Sequence, residues 1–131
     1  MFNLNLKAVI YGVLTFVGLY FINILVAQWL SSATRPMAGG ETNYAYMFLS
    51  QLMGVIILLV PGFLAGRIAT ERGFAHGAVT GAIGTLLTAL AAVIVALFRS
   101  KGIPFSGTLF FWLIMNSMLC GFGGMAAERK Q

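Results

Sequence analysis

Between its two ends the chain loses its apolar character at only three places: "SSATRPMAGGETN" (31–43), "RIATERG" (67–73) and the short basic stretch at Arg99 and Lys101. Four apolar runs separate these breaks. Crossing a hydrocarbon core takes about 20 mostly apolar residues rising about 1.5 Å each, and every run reaches that length. The pattern predicts an all-α fold, an integral membrane bundle of four transmembrane helices over about 7–30, 44–66, 74–98 and 105–127, making one domain of residues 1–131. The first run exceeds a secretory h-region and reads as a retained helix.

Within the third run the spacing of small residues is informative. At about 100° per residue, Gly77, Gly81, Gly84 and Thr88 share one face, which Val95 continues and Ala91 and Ala92 flank. The opposite face collects Val79, Ile83, Leu86, Leu90, Val93, Ile94 and Leu97, as a lipid-facing surface requires. Small faces allow backbones to approach closely, which replaces the hydrophobic drive that is missing between helices in lipid. The small face is therefore expected against another helix, of this chain or of a second subunit.

The polar residues inside the runs are neutral: Asn23, Gln51, Thr80, Thr85, Thr88, Asn116 and Ser117. Asn23 and Gln51 fall at similar depth and are expected to meet across the first hairpin. Gln51 shares a face with Gly54 and Gly62, and Asn116 shares one with Trp112, Cys120 and Gly123, so both are expected to point into the bundle. Together these residues suggest interhelical hydrogen bonds, or alternatively the lining of a hydrated path for a small solute or ion.

A hydrophobic content of 60% and a mean hydropathy of +0.93 remove the chain from the soluble class. The net charge of +5 would suggest nucleic acid in a soluble protein, but the basic residues here are scattered at helix ends and read as interface anchors, so no nucleic-acid partner is expected. Four spans put both ends and the connection near Arg67 on one side. That side carries Lys7, Arg67, Arg72, Arg129 and Lys130, and the other carries Arg35, Arg99 and Lys101. The positive-inside bias then predicts cytoplasmic termini in a cytoplasmic (inner) membrane, and it is narrow enough to leave dual topology open.

The segment "PGFLAGRIATERGFAHGAVTGAIG" (61–84) concentrates glycine, proline, charge and the one histidine. Pro61 lacks an N–H and predicts a kink near the end of the second helix. Arg67, Glu71 and Arg72 read as a solvated turn, and His76 as an interfacial histidine bonded locally. This segment resembles the pattern GGxxAGxxA, a short turn and HGAxxG found in small four-helix prokaryotic membrane proteins of unknown function. Pro61 stands where the first glycine of that pattern falls, and the similarity covers about a fifth of the chain. The resemblance implies the four-helix layout and no activity.

Chemistry is sparse. The acidic residues Glu41, Glu71 and Glu128 lie outside the spans, which argues against proton-coupled transport. The single cysteine, Cys120, excludes an intramolecular disulfide and reads as a buried apolar group. No nucleophile with a base, metal-ligand cluster or phosphate cradle is evident, so neither an enzyme nor a bound metal or cofactor is expected. The partners expected are the lipid bilayer and either the chain itself or another membrane protein.

Overall fold

The computed structural model describes residues 4–33, 44–99 and 108–128. They form four helices: α1 (Leu6–Ala33), α2 (Tyr44–Ala69), α3 (Gly73–Phe98) and α4 (Thr108–Ala127). All four are long and apolar enough to cross a membrane. The predicted fold class holds, with shifts at the ends: α1 runs to Ala33, α2 passes Gly66 to end at Ala69, and α4 begins at Thr108. Residues 105–107, which were expected to open the fourth helix, lie outside the described residues, as do Arg35, Glu41, Lys101, Arg129 and Lys130.

Pro61 does not end α2; it sits inside the helix, fully buried. What ends α2 is a connection of three residues, Thr70 to Arg72, in which Thr70 (φ 64°) and Arg72 (φ 54°) both take left-handed conformations. Such a conformation is uncommon for any residue with a Cβ and least comfortable for a β-branched one. It reverses the chain within a few residues and starts α3 immediately beside α2.

The N-termini are satisfied from unexpected places. Asn5 caps α1 through its side-chain oxygen, which accepts the Ala8 N–H at 3.3 Å. Arg72 gives α3 no side-chain cap. Its own N–H instead donates to the Glu128 carboxylate at 3.0 Å, so the chain just beyond α4 closes the start of α3. A carboxylate there also faces the positive end of the α3 dipole.

Helices α2 and α3 pack on each other, and each packs on both α1 and α4, whereas the backbones of α1 and α4 do not approach closely among the described residues. In cross-section α2 and α3 form the short diagonal of a diamond, with α1 and α4 at its far corners. The most extensive pairing is α3 with α4, followed by α2 with α4.

The core lies toward the end that carries the 70–72 turn. Buried there are Ala8, Gly12 and Phe16 of α1, Pro61, Gly62, Ala65 and Gly66 of α2, Gly73, His76, Gly77, Thr80 and Gly81 of α3, and Cys120, Gly121, Gly123, Gly124 and Ala127 of α4. This core is made mainly of backbone. The Cys120 carbonyl of α4 sits where a Cβ of Gly62 or of Gly77 would stand, and the Gly124 carbonyl occupies the same position for Gly66 and Gly73. One turn further along, a Cβ on Gly81 would lie 2.5 Å from the Asn116 carbonyl. The row Asn116, Cys120, Gly124 is thus a ridge of α4 backbone seated between two glycine ladders, each at helical i, i+4 spacing. Carbonyls held this close to glycine Cα–H groups make weak hydrogen bonds of about 0.5–1 kcal/mol each, and lipid offers the helices no competing hydrophobic drive.

Candidate functional site

Beyond the glycine core the four helices separate. The ring of Phe16, 1% exposed, packs over Gly84, where a Cβ would lie 2.5 Å from it. Phe16 forms the floor of a cavity of about 410 Å³ to which all four helices contribute. Tyr20 and Asn23 come from α1, Gly54 and Leu58 from α2, Thr85 and Thr88 from α3, and Trp112 and Asn116 from α4. Among the described residues no charged side chain lines it.

The polar groups here form a short network whose donor directions are determined. The Thr85 hydroxyl donates to the Gly81 carbonyl at 2.7 Å, which leaves its oxygen as an acceptor. Asn116 must then present its amide Nδ2, which donates to Thr85 at 3.0 Å. Thr88 shares its one proton between the Gly84 and Thr85 carbonyls, each at 3.0 Å. The Asn116 Oδ1 acceptor has no partner among the described residues, and the Asn23 carboxamide makes no hydrogen bond there at all.

The expected site residues therefore separate into groups. Gly77 and Gly81 pack on α4, as a small face allows, but Gly84 meets α1 through Phe16, and Thr88 lines the cavity. Farther along α3 the small face is unpacked: Ala91, Ala92 and Val95 are exposed. Asn23 and Asn116 both face the cavity. Gln51 does not, which corrects the expectation that it turns inward to meet Asn23. It is exposed, because the far half of α2 diverges from its neighbours and Gly54 has nothing within 4 Å of a Cβ position. Ser117 bonds the Leu113 carbonyl of its own helix at 2.6 Å and bridges nothing.

At the turn end His76 is only 3% exposed and bonds locally, as expected, but also across to α1. Its Nε2 accepts the Asn5 backbone N–H at 2.8 Å, while Nδ1 lies 3.0 Å from the Arg72 carbonyl. An amide N–H only donates and a carbonyl only accepts, so the ring is the neutral tautomer with its proton on Nδ1. His76 ties the start of α1 to the start of α3. The Cys120 thiol is fully buried and donates to the Leu58 carbonyl at 2.9 Å. Thr80 Oγ1 is fully buried against Gly12 without a hydrogen-bond partner.

No family model, curated protein or solved structure matches this chain. The site is accordingly read from its own geometry. Among the described residues no three His, Cys, Asp or Glu side chains gather as a metal ion would require. What the arrangement supplies is a recess in a membrane protein, apolar in its walls, with neutral hydrogen-bonding groups on three helices, α1, α3 and α4.

The sequence pointed to Asn23, Asn116, Thr85 and Thr88, and to Trp112 on the Asn116 face, but not to Tyr20 or the Phe16 floor. Aromatic residues within an apolar run carry no signal that separates a cavity wall from a lipid-facing position. The role of Asn5 was equally hidden, since a backbone N–H that meets a histidine 71 positions away leaves no local trace.

Proposed function

We propose that this chain is a non-catalytic integral membrane protein that acts through its helix faces, by self-association or as an accessory subunit of a larger membrane complex. The observation that carries this reading is the far half of α3, where Ala91, Ala92 and Val95 continue the small-residue face and stay exposed among the described residues, in a groove flanked by α1. No span has more than 22% of its apolar window buried within the chain, so ample helix surface remains for a partner. Native mass spectrometry of the protein released from lipid nanodiscs tests this. A defined oligomer or a stoichiometric co-purifying protein is expected; a bare monomer with nothing bound would overturn the reading.

The excess of basic residues on the side of the termini supports a prokaryotic cytoplasmic membrane with both termini in the cytoplasm. Reporter fusions at the two termini that are active only in the periplasm should stay silent.

A second reading, an oligomeric facilitator for a small solute or ion, is favoured by the cavity that Asn23 and Asn116 share. It predicts that Asn116→Leu changes glycerol flux into liposomes while the protein stays folded. Unaltered flux in the variant would remove Asn116 from the path.

A further inference from the structure

We infer that the cavity between the four helices is a binding site for an uncharged, membrane-partitioned amphiphile that presents a hydroxyl or amide donor on an apolar body. Three observations lead there. The volume, about 410 Å³, falls within the range of small-molecule sites, which are mostly apolar with a few placed polar groups. Among the described residues no lining side chain is charged, so none of them offsets the desolvation of an ion.

The polar groups that are left over include acceptors, beside the donors that Tyr20, Trp112 and Asn23 bring to the same lining. The protons of Thr85 and Thr88 are already given to backbone carbonyls, and Asn116 has given one amide proton to Thr85. Its Oδ1 and the Thr88 oxygen lone pairs remain for a donor, while Asn23, bonded to nothing among the described residues, offers both an acceptor and donors. A ligand hydroxyl bridging Asn116 and Asn23 satisfies both. Each group would otherwise stay unpaired beside apolar walls.

Entry is lateral. Asn23 and Tyr20 belong to α1 and Asn116 and Trp112 to α4, the two helices whose backbones do not approach closely among the described residues. A solute already dissolved in the bilayer reaches the cavity between them without crossing water. This inference rests on the cavity of the facilitator reading but not on conduction: a ligand that binds without any flux would retire that reading and leave this one standing.

The test is photolabelling in nanodiscs with a diazirine-bearing octanol, the adducts being mapped by peptide mass spectrometry. Labelling is expected on the peptides that carry Tyr20 and Trp112, and it should be competed by excess octanol but not by octane. Asn23→Leu removes a carboxamide that holds no other residue, so its fold should survive. It is expected to raise the octanol concentration needed for competition by about fivefold, the equivalent of one neutral hydrogen bond. Asn116→Leu should do the same where it folds. Equal competition by octane would mean that the cavity is only space for an acyl chain and would overturn the inference. Labelling elsewhere, or an Asn23→Leu variant with unchanged competition, would also overturn it.

Discussion

Gly77 and Gly18 are the same residue in two helices, and their surroundings make them opposites. A Cβ on Gly77 would strike the Cys120 carbonyl, whereas one on Gly18 would meet nothing within 4 Å. Backbone has no rotamer with which to yield, so Gly77→Ala should destabilise the protein by about 1–3 kcal/mol. Gly18→Ala should be neutral or stabilising by about 0.5–1 kcal/mol, since alanine loses less conformational freedom in a helix. Denaturant-induced unfolding in micelles compares the two directly, and equal effects would refute the backbone-contact account of the core. Thr80 is the complementary case. Its hydroxyl is buried and unpaired, so Thr80→Val removes an unsatisfied group at nearly constant shape and is expected to raise stability by about 1 kcal/mol. A loss in the same unfolding assay would mean that the hydroxyl has a partner in the membrane.

The decisive feature among the helices is how α2 hands over to α3. Two left-handed residues without the freedom of glycine, Thr70 and Arg72, complete the reversal, and they hold Gly66 and Gly73 on either side of the Gly124 carbonyl. Strain of this kind costs on the order of 1–3 kcal/mol and persists where the surroundings over-determine it. Thr70→Gly should relieve it and, after the greater flexibility of the unfolded chain is allowed for, stabilise the protein by about 1 kcal/mol. A melting temperature that falls in this variant would show that the side chain contributes more than its backbone costs. The α4 ridge then depends on this turn: it fits between α2 and α3 because both ladders are glycine at the turn end, which Leu58 on α2 and Thr85 on α3 replace one turn beyond.

Among the described residues the four helices make a cup, closed by backbone contacts at the turn end and separating toward the other. The fully buried Cys120 thiol lies in the closed half and reports on its integrity. The folded protein should resist maleimide in micelles, and Gly77→Leu should render Cys120 reactive at a concentration of denaturant that leaves the parent protected. Rapid labelling of the native protein would contradict the packing described for α2 and α4. Helix-face association uses the exposed surface and small-molecule binding uses the interior of the open half, and the two adjoin at Ala92, which is exposed and also lines the cavity.

The number of helices, their lengths and their membrane setting were legible in the chain because the length of an apolar run is a local quantity that the bilayer thickness turns directly into a span. The glycine face at Gly77 and Gly81 was legible for the same reason, since helical periodicity alone places those residues together. Which helix filled that face was not. The choice of α4 over α1, the diversion of Gly84 to Phe16 and the exposure of Gln51 depend on how far apart the helices stand at each depth. So do the meeting of Asn5 with His76 and the joint exposure of Asn23 and Asn116 to one cavity. Distances between helices arise from contacts among residues far apart in the chain, and only the tertiary structure decides them.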